Sequence, residues 1–355
     1  MNASAQNKNA SGKVTVAAAH LSSPMLDKQR GVEKACKWIK EAAASGAQVI
    51  VFPESFIPGF PLWNAYLSPI EGHTWFARLA ANALLADGPE IAAIADVAAR
   101  NRIVVCLGFT EVAPYSRGCV WNSNILINSE GQLVNLHRKL VPTFYEKLTW
   151  TPGDGAGLTV VETSVGRIGT LICGENGNPL ARYTLMAQGE ELHLSNYPPV
   201  WPFRDGEGDQ TLYDLADAIR FRAAAHAFEA KCFNVVAAGF LDDESVDTLA
   251  QTNDRARRIL LESPKSVSMV LSPSGEIIGD MRRDEEGLVL AQINLDEIVE
   301  LKQHHDIAGY YNRFDIFNLR VNRKRHVPIT FTNNQNANNI LPISSPTNCH
   351  KEDEE

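Results

Sequence analysis

Cys173, Glu54 and Lys139 each stand at the end of a short apolar run: Cys173 closes RIGTLIC, Glu54 closes VIVFPE, and Lys139 closes LVNLHRK. A sulfur at a strand end can meet substrate, and backbone N–H groups in the turn that follows can receive an anion formed during attack. A carboxylate directly after an apolar strand needs a partner if it is to be buried, and a lysine at another strand end brings positive charge to the same cleft. With a reference pKa of roughly 8.5, a thiol is only a few per cent thiolate at neutral pH. Glu54 as base and Lys139 as a nearby cation can both activate Cys173. The lysine can then stabilise developing negative charge, while the glutamate returns a proton to nitrogen and later activates water. The trio suits hydrolysis of a carbon–nitrogen bond through a covalent thioester. Read singly, each residue also has a plain structural role; Cys173, for instance, can be a small core side chain.

Distant residues meet in this way only if strands and crossover helices alternate, and the hydrophobic patterning predicts that they do. Val14 to His20 reads as a first strand. Lys28 to Ser45 follows as a helix with Val32, Ala35, Ile39 and Ala42 on one side, and Gln48 to Glu54 as a second strand. A helix over Pro89 to Arg100 leads into a strand over Ile103 to Phe109, then WNSNILI and LVNLHRK around the turn NSEG. The second half repeats the theme with LTVVET, RIGTLIC, a helix starting near Pro179, a strand over Glu191 to Asn196, a helix over Thr211 to Lys231 and a strand over Phe233 to Gly239. The hairpin-like segments Ser266 to Ser272 and Leu288 to Ile293, with SPSGE as the turn, complete the sheet. No linker divides the chain, so we read residues 1–13 as a flexible arm, 14–322 as a single domain, and 323–355 as a tail ending in KEDEE.

Of the 355 residues, 33 are basic and 42 acidic, a net charge of −9 that favours neither nucleic acid nor an anionic membrane as partner. No apolar run approaches the roughly 20 residues of a transmembrane helix. The six cysteines lack the density and pairing of a disulfide scaffold, which points to a reduced, cytoplasmic protein. Arg323, Lys324 and Arg325 read as a solvated surface or a subunit contact. His304 and His305 are adjacent rather than spaced as helical metal ligands, GDGAG at Gly153 to Gly157 reads as a turn, and Asp205 to Asp209 lacks the glycine and terminal glutamate of a calcium loop. Neither a metal nor an organic cofactor is implied. His137, close to Lys139, is either a structural hydrogen-bonding residue or a support for the site.

The words FPESFIPGFP, HRKLVPTFYEKLTW, LICGENGNPLARY and YPPVWP together resemble the nitrilase superfamily, and their combination is most similar to its nitrilase branch. The likeness runs from about Val14 to Phe317. It implies a four-layer αββα sandwich, dimers that can grow into larger helical homo-oligomers, and a small-molecule nitrile as substrate. It also implies Glu54 as general base, Lys139 as the family's lysine, Cys173 as nucleophile and Glu146 as a second active-site glutamate that balances the lysine. Many members of the branch carry Trp-Glu after the nucleophile, where this chain has Gly174 and Glu175. The aromatic residues Phe60, Trp63, Tyr145, Trp150, Tyr197 and Trp201, with Gly174, are candidates to line a pocket for an aromatic, arylaliphatic or extended aliphatic nitrile. The expected products are carboxylic acid and ammonia. Two alternatives stay open: an amidase or carbamoylase using the same site, and a noncatalytic assembly or binding protein on the same fold.

Overall fold

The computed structural model describes residues 12–203 and 213–329; the arm before Gly12, the Asp205 to Asp209 segment and the chain beyond Ile329 lie outside the described residues. The strands are Lys13–Ser22 (β1), Val49–Val51 (β2), Val104–Ala113 (β3), Ser116–Ile127 (β4), Leu133–Arg138 (β5), Val161–Thr163 (β6), Gly166–Ile172 (β7), Leu192–Tyr197 (β8), Phe233–Phe240 (β9), Met269–Leu271 (β10) and Gly287–Asn294 (β11). The helices are Lys28–Ala44 (α1), His73–Ala81 (α2), Pro89–Asn101 (α3), Pro179–Met186 (α4), Leu215–Ala230 (α5), Asp243–Ala250 (α6), Asp254–Glu262 (α7) and Glu297–His304 (α8).

Pairing divides the strands into two sheets. One runs β5-β4-β3-β2-β1 and adds β11 beyond β1; the other runs β6-β7-β8-β9 and adds β10. Among the described residues a strand of one sheet pairs with a strand of the other only where β1 meets β9, at Leu21–Gly239 and Ser22–Phe240. Because successive strand side chains point to opposite faces, each sheet has two apolar faces to cover. Val16, Ala18, Val49, Val51 and Val104 pack against Ile168, Leu192, Leu194, Val235 and Ala237 of the other sheet. The alternate residues Ala17, Ala19 and Leu21 meet Val32, Ala35 and Ile39 of α1 and Ile91 and Ile94 of α3. On the far side, Val236 and Ala238 meet Ile219 and Ala223 of α5. The layers are therefore αββα, as the resemblance implies.

Local chemistry sets the helix starts. The Asp27 carboxylate accepts from Arg30 N–H at 3.0 Å to open α1, and Pro89 takes the first position of α3, where no N–H is needed. The helix expected over Thr211 to Lys231 begins at Leu215 because Asp214 caps it, accepting from Asp217 N–H at 3.0 Å; Thr211 and Leu212 lie outside the described residues. One expectation is corrected. The segments Ser266 to Ser272 and Leu288 to Ile293 do not pair as a hairpin: β10 adds to β9, and β11 adds antiparallel to β1 in the opposite sheet. Burial explains the split, since β10 is buried on both faces while β11 alternates Val289, Ala291 and Ile293 inward with exposed neighbours. SPSGE still turns, Ser272 N–H donating to Glu276 O at 2.8 Å. Helices α2, α6, α7 and α8 were not anticipated; they are short, of eight or nine residues. No helix among the described residues is long and apolar enough to cross a membrane.

Candidate active site

The first sheet and the loops that follow its strands supply Glu54, Lys139 and Glu146, three of the four candidate residues. Glu54 follows β2, and β3 can lie against it because Gly108 has no side chain: a methyl there would collide with Pro53 O. Asn122 of β4 ties Glu54 to Lys139, its Nδ2 donating to Glu54 Oε1 at 2.6 Å and its carbonyl accepting from Lys139 N–H at 2.8 Å. Glu146 lies on the single turn Phe144–Leu148, held by Thr143 N–H donating to its Oε2 at 2.8 Å. Cys173 comes from the second sheet, immediately after β7, with a left-handed φ of 51°. Ser55 and Phe144 are also left-handed, so three non-glycine residues held in a sparsely populated conformation gather at one place.

The Lys139 ammonium donates to Glu54 Oε1 at 2.7 Å and to Glu146 Oε1 and Oε2 at 2.9 and 2.7 Å. Its three hydrogens thus have three carboxylate acceptors, and all three residues are buried. The Cys173 sulfur and one carboxylate oxygen from each of Glu54 and Glu146 lie within 4.8 Å of one another. Glu54 Oε2 is buried and has no hydrogen-bond partner among the described residues, which leaves it able to accept a proton. Burial alone would lower the pKa of Lys139, but the charges of Glu146 and Glu54 outweigh it and hold the amine protonated. Burial, with Glu54 adding to it, pushes the Cys173 thiol well up, and burial raises Glu146 to about 7 against the pull of Lys139. A thiolate here would face two carboxylates across one ammonium. Cys173 therefore rests as a thiol, which would need a base in order to attack.

Glu175 was not among the expected site residues. Its buried carboxylate accepts from Leu140 N–H at 2.5 Å, from Ile172 N–H at 2.9 Å, and from His137 Nε2 at 2.8 Å. Leu140 follows Lys139 and Ile172 precedes Cys173, so one side chain clamps the lysine-bearing segment of one sheet to the turn that carries Cys173 in the other. His137, left open between two readings, is a hydrogen-bonding support of that clamp. Burial raises Glu175, but His137 and the two backbone N–H groups outweigh it and hold the carboxyl below its ordinary range. The sequence signal was the ENG turn after Cys173, which shows none of these three partners.

The aromatic candidates converge. Phe60, Trp63, Tyr145, Trp150, Tyr197 and Trp201 share one buried cluster with Cys173 and Ile172. Tyr145 stacks on Trp201 at 4.6 Å, and Phe60 meets Trp150 edge-on at 5.3 Å. The Tyr145 and Tyr197 hydroxyls and Trp63 Nε1 are buried without a partner among the described residues. A β-carbon on Gly174 would stand 3.2 Å from Thr143 Oγ1, beside the residue that holds Glu146. Elsewhere, Gly155–Gly157 forms a turn capped by Asp154. The basic patch folds back on its own chain: Arg325 donates to Leu136 O at 2.9 Å and pairs with Asp154 at 3.2 Å. Arg323 contacts Thr159.

A sequence model of the carbon-nitrogen hydrolase family matches residues 15–303. The chain is 32% identical to a nitrilase of Paraburkholderia phymatum, covering 89% of both chains. It is 34% identical to an arylacetonitrilase of Aspergillus kawachii, covering 89% of this chain and 95% of that one. In fold it is similar to a carbon-nitrogen hydrolase from Helicobacter pylori, with a TM-score of 0.64 at 16% identity over 86% of this chain and 97% of the other.

Proposed function

The chain belongs to the carbon-nitrogen hydrolase family, and from that premise we propose that it is a nitrilase with Cys173 as nucleophile, Glu54 as general base, and Lys139 and Glu146 as the charged pair that surrounds them. The observation that carries this reading is the unpartnered Oε2 of Glu54, on the carboxylate that Lys139 and Asn122 hold through Oε1 in the cluster with the Cys173 sulfur. The relatives named nitrilase, at 32% identity or close to it over most of the chain, point to the same activity.

Attack begins as Glu54 takes the thiol proton while sulfur bonds to the nitrile carbon, and the nitrile nitrogen collects that proton to give a thioimidate. Water then adds with Glu54 as base, and the tetrahedral carbon expels ammonia after nitrogen receives the proton back. The thioester that remains is hydrolysed by a second water, which regenerates the thiol and releases the acid. Two waters enter and one acid and one ammonia leave. Lys139 acts mainly by its field, since its hydrogens are directed to carboxylates. An apolar wall of Phe60, Trp150 and Trp201 suits an aromatic, arylaliphatic or extended aliphatic nitrile.

The proposal extends to the molecule's setting. Phe221 and Phe228 on α5 and Leu180 on α4 are exposed, which favours a homodimer or larger homo-oligomer formed through these helices. Five unpaired cysteines among the described residues suit a reducing cytoplasm. Residues 14–322 are read as one catalytic domain, and 323–355 as its tail. The test is a panel of nitriles and matched amides, assayed for ammonia and carboxylate, with Cys173→Ala alongside. Direct conversion of a nitrile to acid, lost in the folded variant, is the expected result. Inertness toward every nitrile with rapid amide hydrolysis would reverse the choice in favour of an amidase.

A further inference from the structure

Behind the nucleophile turn lies a buried polar chain that the reaction does not use. Asn176 Nδ2 donates to Cys173 O at 3.0 Å and to Leu171 O at 3.3 Å. Carbonyl oxygens only accept, so this contact fixes the amide: Asn176 Oδ1 must face the other way, where it meets His193 Nε2 at 2.8 Å. That nitrogen therefore carries hydrogen. The opposite ring nitrogen, His193 Nδ1, lies 2.6 Å from Glu190 Oε1, and Glu190 Oε2 lies 2.7 Å from His226 Nε2 on α5. The His193 and His226 rings stack at 3.7 Å, and Asn176, Glu190, His193 and His226 are all buried. These N···O separations are hydrogen bonds. Two ligands sharing one tetrahedral zinc at about 2.0–2.1 Å each would stand about 3.3 Å apart.

Gly169 in β7 makes room for this arrangement, because a methyl group there would collide with the Glu190 carboxylate. The resulting chain runs from α5 through Glu190 and β8 to the carbonyl of Cys173, and it ends on the one residue of that turn whose backbone is left-handed.

We infer that Asn176 is a positioning residue for the nucleophile, and that Glu190, His193 and His226 act through it by fixing the orientation of its amide. The chain holds the Cys173 carbonyl so that the backbone keeps its left-handed form and the sulfur stays at the meeting point of Glu54 and Glu146. This rests on the reading of Cys173 as nucleophile given above. Glu190 bears no role in proton transfer to substrate.

The experiment compares Asn176→Ala, His193→Ala, Glu190→Ala, Glu190→Gln and Gly169→Ala for kcat, KM, thermal unfolding and the rate of Cys173 alkylation by iodoacetamide. The three alanine replacements within the chain are expected to lower kcat at least tenfold, with KM within about threefold, and to slow alkylation in parallel in protein that remains folded. Gly169→Ala, which removes no hydrogen-bonding group but displaces Glu190, is expected to do the same. Glu190→Gln is the rescue: its amide can donate to His193 Nδ1 while its oxygen accepts from His226, so it should recover most of what Glu190→Ala loses. The inference is overturned if Asn176→Ala, folded, keeps kcat and alkylation rate within twofold of the parent, or if Glu190→Gln is as impaired as Glu190→Ala. If Cys173→Ala itself retains turnover, it is the functional reading that fails, and that outcome is distinguishable from the others.

Discussion

Replacing Glu175 by glutamine tests whether the two sheets are held in catalytic register by one carboxylate. The native oxygens accept from Leu140 N–H, Ile172 N–H and His137 Nε2. Glutamine offers one oxygen and one NH₂. If the oxygen keeps Leu140, the NH₂ can satisfy His137 by turning its ring into an acceptor, but Ile172 N–H then faces a donor. One buried N–H left unsatisfied costs about 1–3 kcal/mol. With an unfolding entropy near 2.1 cal/mol/K per residue over 355 residues, a loss of about 2 kcal/mol lowers the melting temperature by only about 3 °C. The catalytic effect should be larger. Ile172 and Leu140 adjoin Cys173 and Lys139, and if these act as proposed, a displacement of about 1 Å between nucleophile and base can cost about a hundredfold. We therefore expect Glu175→Gln to lower kcat tenfold to a hundredfold with a small fall in melting temperature, measured by ammonia release and scanning calorimetry. Wild-type kcat in a variant that melts a few degrees lower would show that the clamp serves stability alone and refute the reasoning.

Glu54→Gln should reduce kcat by about a hundredfold to ten-thousandfold and slow Cys173 alkylation at pH 7 while leaving the melting temperature nearly unchanged; because the thiol is pushed up, alkylation of the parent enzyme should still be rising above pH 9. Histidine burial should make the fold acid-sensitive: burial lowers His20 and His226 to about 4, so between about pH 6.5 and 4 the unfolded chain binds the extra protons at these sites and each histidine's contribution to stability falls as pH falls, by about 3 kcal/mol, while Glu146, raised to about 7, contributes in the opposite sense between about pH 7 and 4.5. In urea titrations His20→Gln should make stability between about pH 6.5 and 4 less dependent on acid than in the parent, by one histidine's share, and an unchanged dependence would count against it. Gly174→Ala requires Thr143 to yield by a few tenths of an ångström and should alter KM across a nitrile series more than it alters melting; a uniform KM would show that Gly174 does not border the pocket.

Much of this arrangement is legible in the residues themselves. An apolar run that ends in Glu54, Lys139 or Cys173 places a chemical group at a strand tip, and alternation of strands and helices brings such tips to one edge. Glu146 entered only through the resemblance, because a glutamate in a polar loop carries no periodic signal. Glu175, Glu190 and His226 stayed hidden for another reason: each acquires its role from a partner on a different element, at separations of 38, 3 and 36 residues along the pairs His137–Glu175, Glu190–His193 and Glu190–His226. The short helices α6 and α7 did leave a trace in Asp242 and Asn253, which cap them at 2.8 and 3.0 Å. The β10 and β11 segments misled because closeness in sequence suggests a hairpin, whereas the burial pattern of each strand assigns it to a separate sheet.

The division of the site between sheets explains why so many buried polar groups surround it. Glu54, Lys139 and Glu146 are carried by the first sheet and its loops, and Cys173 by the second, so their separation depends on how two apolar faces slide on each other. Apolar packing is strong but non-directional, and it resists a shift of a few tenths of an ångström poorly. Hydrogen bonds across the interface are directional. Glu54 N–H donates to Tyr197 O at 3.2 Å, Asn196 Nδ2 to Phe52 O at 2.6 Å, and Asn124 Nδ2 to Asn196 Oδ1 at 2.6 Å, each joining one sheet to the other. Each of these groups is costly to bury and becomes costlier if its partner moves. Their burial sets the register that the proposed pairing of the sulfur with Glu54 requires, and Val16 against Val235 could not set it alone.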